Sequence, residues 1–286
     1  MNSISFAYKF SRLKTKFFIL LWLIVATIIA YVSIPYYQIY TSIKELQNGY
    51  VKVDFLGEKI VYTVVKEKPD QWVDLKDISK RLQWAIITSE DGKFYDHNGF
   101  DYEQFQKAFE SAFILKRKKV RGASTITQQL IKNLFLSREK SISRKMKEFV
   151  FSLVIENHVD KIKILETYLN IIEYGKNIYG IKNASLFYFK KKPSQLLARE
   201  SAFIAMLLPS PVKYSRSFYN KRLSPFAIKI INSVLIKMNQ VGAIGIDELA
   251  SETSSTFFWE TAPPNLVQDQ NEINQIDSIN EEDLDE

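Results

Sequence analysis

The 286-residue, 33.3 kDa chain has no cysteine and two histidines, which excludes disulfides, thiolate catalysis and sulfur-bound zinc; His97 and His158 alone cannot build a three-histidine cage. Any chemistry must rest on carboxylates, hydroxyls, amides and cations. The formal charge of +7 divides unevenly: residues 1–237 hold 39 cations against 20 anions, a net +19, while everything after Lys237 is acidic, −12, so the body suits nucleic acid, an anionic membrane surface or a phosphate-bearing substrate.

Between Lys16 and Lys44 lie 27 uncharged residues. Residues 17 to 34 are almost wholly apolar, about 27 Å as a helix and long enough to cross a bilayer core. A cleaved signal peptide and a buried helix are the alternatives; no small-x-small site follows, which argues against cleavage. Lys9, Arg12, Lys14 and Lys16 precede the run, so residues 1–16 read as a cytoplasmic segment and 17–35 as a single transmembrane anchor. Tyr31, Tyr36, Tyr37 and Tyr40 fall where an outer interface would lie. An exported domain with this charge rarely meets nucleic acid, which leaves lipid headgroups and pyrophosphates as the leading anionic partners.

Residues 36–70 read as a linker, with β-type alternation from Val51 to Val65 that fits a short hairpin or an extended exit from the membrane. Apolar residues then recur at three-to-four spacing over 76–90, 101–116, 124–136, 141–158, 161–174, 194–208 and 224–240. This predicts a mainly α domain over 71–245. From 246 to 286 the chain is acidic and rich in Asn, Gln and Ser, and reads as a disordered tail.

Three constellations carry chemistry. Glu90, Asp91, Phe94, His97, Gly99 and Asp101 follow the apolar run Ala85-Ile86-Ile87; a carboxylate there suits general-base work, although these residues taken alone favour a solvated helix end with a structural histidine. Gly122 to Asn133 offers Ser124 or Thr125 as an N-cap, then Thr125, Gln128, Gln129 and Lys132 as a donor-rich surface at a positive helix end. Asn133 closes it. Arg144, Lys145 and Glu148, with Lys140 and Lys147 nearby, form either a surface ion pair or a cation cluster around one carboxylate. Lys116, Arg117, Lys118, Lys119 and Arg121 add a basic, loop-like stretch.

The order and spacing of these motifs resemble the family 51 glycosyltransferases, the peptidoglycan polymerases. Lys161-x-x-Ile164-Leu165-Glu166-x-Tyr168-Leu169-Asn170 matches too, as do Gly175 to Phe189, Trp72, and Leu208-Pro209-Ser210-Pro211 with Tyr214 and Ser215. The likeness covers about residues 72 to 215. It implies a lysozyme-like helical domain with a small jaw lobe. The implied substrates are lipid II and the growing glycan chain, joined by inverting transfer into β-1,4 strands with release of undecaprenyl pyrophosphate.

By motif position the resemblance implies Glu90 as general base, and Glu148 with Lys132, Arg144 and Lys145 as the group that meets the departing pyrophosphate. Asp91, Phe94, His97, Thr125, Gln128, Gln129 and Asn133 fall at positions that shape the cleft and hold sugars. Lys163 departs from the family, which often carries an acidic residue there. Ser137-x-x-Lys140 and Ser210-x-x-Lys213 mimic a transpeptidase signature, but no Lys-Thr-Gly follows, so a monofunctional enzyme is expected. Mg²⁺ or another divalent cation would suit a pyrophosphate, though no dedicated ligand cluster is visible. Membrane lipids and cell-wall synthesis or division proteins are the implied partners, at the cell (inner) membrane with the catalytic domain on the periplasmic or extracellular side. A lysozyme-like muramidase and a non-catalytic scaffold are the competing readings.

Overall fold

A computed structural model describes residues 19–23, 26–27, 33–57, 59–110, 124–136 and 141–261. Among the described residues no helix is long and apolar enough to cross a membrane. Much of the expected anchor, the basic stretch 116–121, Lys140 and the end of the chain from 262 lie outside the described residues.

Helix α1 (33–46) leads into a hairpin of β1 (Tyr50–Leu56) and β2 (Lys59–Val65), paired antiparallel with Val53 opposite Tyr62. The expected linker is thus folded structure. Ile43, Leu46 and Val51 are buried in the main core, which ties this region to the domain. The expected helix over 76–90 divides into a 3₁₀ turn, Leu75–Asp77, and α2, Lys80–Glu90. Two side chains explain the break: Glu166 accepts the Leu75 N–H at 2.9 Å, and Gln83 Nε2 donates to the carbonyls of Leu75 and Ile78, both at 2.9 Å.

Then come α3 (Tyr102–Phe109), α4 (Ile126–Phe135), α5 (Ile142–Glu156) and α6 (Lys161–Ile171). Each starts on a side-chain cap, Asp101, Thr125, Ser141 and Asp160 in turn, which satisfies an N–H that the helix itself cannot. The expected continuation of α6 to 174 stops at Ile171, where a small ribbon of β3 (Glu173–Gly175) and β4 (Ile178–Tyr179) begins. Gly180 follows with φ +77°, and a Cβ there would sit 2.6 Å from the Asn170 carbonyl. Only glycine allows this approach. A helix not expected from spacing, α7 (Ile181–Phe189), comes next and ends at Lys190 in the left-handed region.

Helix α8 (Ala198–Leu207) is buried at every position, as befits a helix apolar on most sides. It packs against α2 and α11 (Pro225–Gln240), with two short turns, α9 (Pro211–Tyr214) and α10 (Arg216–Tyr219), between. A second group, α4 with α5 and α6, stands beside the hairpin. The two groups share one continuous core. Lys163, the departure from the family pattern, lies over the rings of Tyr50 (4.5 Å) and Trp72 (5.0 Å) and pairs with Glu166 at 3.2 Å, a cation–π seat that an acidic residue could not occupy.

The expectation of a disordered tail from 246 is corrected. Residues 246–254 form α12 (Ile246–Ser254), and Phe257 and Trp259 are buried. The acidic side chains supply the attachment. Glu248 pairs with Arg81; Glu252 accepts the Arg199 N–H at 3.1 Å, and the Arg199 guanidinium donates to the Glu252 carbonyl at 3.0 Å while lying 5.2 Å from the Phe257 ring. Phe257 stacks on Trp259 with centroids 4.9 Å apart, and both meet Phe203 of α8. Trp259→Ala should lower unfolding stability by about 3–5 kcal/mol, read as a fall in the denaturant midpoint; an unchanged midpoint would mean that this clasp is not part of the cooperative unit.

Candidate active site

Helix α2 delivers two adjacent carboxylates to opposite fates. Asp91 ends the helix, is 1 % exposed, and turns inward: Oδ2 accepts the Ile126 N–H at 3.0 Å at the start of α4, and Oδ1 lies 2.9 Å from His97 Nε2. An acid at a helix N-terminus is favourably placed against its positive end. Thr125 donates to the Gly99 carbonyl at 2.8 Å and accepts the Gln128 N–H at 3.1 Å, and Gln128 Oε1 returns to the Thr125 N–H at 3.2 Å. This reciprocal cap locks the loop 91–101 onto α4. Gly99, at φ +82°, rests so close to α5 that a Cβ would meet the Ser152 carbonyl at 2.5 Å.

The consequence for the expected sugar-holding residues is mixed. Asp91, Thr125 and Gln128 are buried and bonded to each other's elements, and Phe94 is fully buried beneath the Lys161 ammonium, 4.4 Å from its ring. Their side chains build the scaffold and present no face to a ligand. His97 is mostly buried against Asp91. Asn133 is half-buried on α4.

Glu90 turns outward instead. It is half-buried and borders a cleft of about 720 Å³, lined also by Ser124, Gln129, Lys107, Met206, Tyr214, Phe226 and Lys237. Gln129 Nε2 donates to Glu90 Oε2 at 2.8 Å. On α5, Glu148 is 3 % exposed, with Lys145 Nζ 2.9 Å from Oε2 and Arg144 Nε 3.4 Å from Oε1. The second is an ionic contact without hydrogen-bond geometry. Lys145 also donates to Ser124 Oγ at 2.8 Å, joining the cation cluster to the cleft wall.

Lys132 completes the cluster from α4. Partial burial pushes its ammonium below lysine's usual 10.5, Glu148 and Glu90 oppose that shift, and Arg144 and Lys145 reinforce it. Lys132, Arg144 and Lys145 therefore gather around Glu148, and Lys132 also lies in the field of Glu90. Among the described residues no group of three or more His, Cys, Asp or Glu side chains is placed to hold a metal ion.

Sequence spacing alone missed the cleft-lining Tyr214, Phe226 and Lys237, because they come from α9 and α11 far along the chain. It also missed the work of Glu166 and Asn170. Glu166 accepts from Trp72 Nε1 at 3.1 Å, and Asn170 both accepts the Val73 N–H and donates to the Val73 carbonyl, each at 2.8 Å. Together they bind the segment before α2 to α6.

The sequence profile of the Transglycosylase family matches residues 57–239. A biosynthetic peptidoglycan transglycosylase of Nitrosomonas eutropha is 39 % identical over 168 residues, 59 % of this chain and 67 % of that protein. Proteins of the same name from Paraburkholderia xenovorans and Shewanella oneidensis are 44 % and 45 % identical, over 56 % and 54 % of this chain and 67 % and 65 % of theirs.

Proposed function

The chain belongs to the transglycosylase family, a glycosyltransferase family that builds peptidoglycan strands, and from that premise we propose how its cleft performs the transfer. The acceptor's 4-hydroxyl enters beside Glu90, whose carboxylate takes the proton. The freed oxygen attacks C1 of the donor sugar as the bond from C1 to the pyrophosphate oxygen breaks on the opposite face. The configuration inverts, giving a β-1,4 link, and the pyrophosphate leaves with its charge met by Lys132, Arg144 and Lys145. Lipid II and the growing glycan are the substrates in this reading, and undecaprenyl pyrophosphate is the other product.

One observation supports it: among the described residues that line the cleft Glu90 is the one carboxylate, and Lys132, Arg144 and Lys145 gather around Glu148, with Lys132 also in the field of Glu90 and Lys145 bonded to Ser124 of the cleft lining. Hydrolysis of a sugar–sugar bond needs a carboxylic acid to protonate a poor leaving oxygen. A pyrophosphate needs cations instead. The arrangement therefore favours transfer over a muramidase reaction. Incubating the detergent-solubilised protein with lipid II should yield glycan that muramidase digests; release of sugars from finished cell wall, without polymer from lipid II, would favour the hydrolase.

The reading also places the chain at the bacterial cell membrane, held by residues 17–35 with its N-terminus in the cytoplasm. The uncharged 27-residue stretch, the basic residues before it and the exposed Tyr36 and Tyr37 support this.

Lys132 supplies a pH prediction. It is needed as a cation, and its proton leaves below the usual 10.5 because burial disfavours the charge. Turnover should therefore fall on the basic side before an exposed lysine would titrate, and Lys132→Arg, which keeps its charge there, should move that limb to higher pH. A pH–rate profile whose basic limb is identical in the two proteins would remove Lys132 from this role.

A further inference from the structure

Tyr168 lies on α6, behind the cleft wall, with 1 % of its surface exposed. Its hydroxyl donates to Gln129 Oε1 at 2.8 Å, and Gln129 Nε2 donates in turn to Glu90 Oε2 at 2.8 Å. The two bonds form a chain from the core to the outward carboxylate.

The ends of an amide are not interchangeable in such a chain. An ionised carboxylate only accepts hydrogen bonds, so Glu90 requires the NH₂ of Gln129, which leaves the amide carbonyl facing α6. A phenol satisfies that carbonyl by donating. Remove the hydroxyl and the carbonyl is left facing an apolar ring, so the amide loses its preference for this orientation. Turned over, it would set a carbonyl oxygen against the Glu90 carboxylate, which is repulsive.

We propose that Tyr168 is a positioning residue for glycosyl transfer: through Gln129 it holds the Glu90 carboxylate in the bearing from which it takes the acceptor's proton. The proposal rests on the reading of Glu90 as the base. It also gives Gln129 a task at Glu90 besides any contact with sugar.

The surroundings support a one-way relay. Burial, helped by the negative charge of Glu90, pushes the Tyr168 phenol well above its ordinary value, so the hydroxyl keeps its proton and remains a donor. The charged neighbours have their own engagements: Asp91 is bonded to His97 and the start of α4, and Lys132 sits in the field of Glu148, Arg144 and Lys145. The ring of Tyr168 belongs to the core, so phenylalanine retains the packing and deletes only the donor.

The test is a set of steady-state measurements on the full chain in detergent, with lipid II as substrate, for wild type, Tyr168→Phe, Gln129→Ala, the double variant and Glu90→Gln. Losing one orienting hydrogen bond should lower kcat about five- to tenfold in Tyr168→Phe with KM changed less than about twofold. The double variant should be no slower than Gln129→Ala, because the hydroxyl acts only through the amide. A wild-type kcat in Tyr168→Phe overturns the proposal. So does a Tyr168→Phe loss that recurs in full in the Gln129→Ala background, which is what a merely structural hydroxyl would show. Should Tyr168→Phe fail to fold, Gln129→Ala cuts the same chain from the cleft side: a wild-type kcat there overturns the relay, and a kcat loss at constant KM supports it. Glu90→Gln keeps the two ideas apart. Full turnover in that variant defeats the base assignment, whereas its inactivity beside an unaffected Tyr168→Phe defeats the relay alone.

Discussion

Glu90→Gln should lower turnover of lipid II by about 10²–10⁴-fold, the usual contribution of a positioned general base, with little change in folding. Glutamine matches the size of glutamate and still offers Gln129 an acceptor, so the 2.8 Å contact has a replacement partner. What is lost is the ability to accept a proton. The folding midpoint of the variant should stay close to wild type, since Glu90 is half-buried at the end of α2 and not part of the core. A variant that polymerises at the wild-type rate would require another base, and the described structure places Asp91 inside the scaffold, bonded to His97 and to the start of α4.

Glu148→Ala should have the second largest effect, a loss of about 10²–10³-fold, comparable to deleting one preorganised group that stabilises developing charge. Glu148 does not itself face the leaving group in this account. It anchors Lys145 and Arg144, and its charge supports the protonated form of Lys132. Without it the three cations repel one another and Lys132 gives up its proton at a lower pH. The variant should therefore show both a reduced kcat and a basic limb displaced downward. A reduced rate with an unmoved basic limb would mean that Glu148 acts on the arginine and Lys145 but not on Lys132.

Much of the architecture was legible because local and tertiary signals agree. Helices α4, α5 and α11 start within two residues of their expected positions, where Thr125, Ser141 and Ser224 each accept a helix N–H. Helix α7 was not legible: it is short and its apolar residues face more than one side, which blurs the period that marks an amphipathic helix. The fold of residues 246–260 was obscured by composition. Ile246, Leu249, Phe257 and Trp259 were visible in the acidic stretch, yet the partners that give its carboxylates a purpose, Arg81 and Arg199, lie far back in the chain.

The site shows the same division. The grouping of Arg144, Lys145 and Glu148 follows from their spacing on α5, and the structure adds Lys132 and the cleft-facing Glu90. A helix taken alone places Thr125, Gln128, Gln129 and Lys132 on one polar surface. In the fold the first turn of α4 is covered by the loop 91–101, so Thr125 and Gln128 are consumed in capping, while Gln129 borders the cleft and Lys132 is half-buried among the cations. The Tyr168 hydroxyl could not be found this way, because its partner Gln129 stands on another helix, 39 positions earlier.

The central claim is transfer from a pyrophosphate donor with Glu90 as base, and the most direct measurement follows both products in one reaction. Purified full-length protein is given lipid II labelled in the sugar and in the lipid. The account predicts that polyprenyl pyrophosphate appears in step with β-1,4 glycan, and that both vanish together in Glu90→Gln. Release of free disaccharide to water without polymer, or glycan synthesis that continues undiminished in Glu90→Gln, would contradict it.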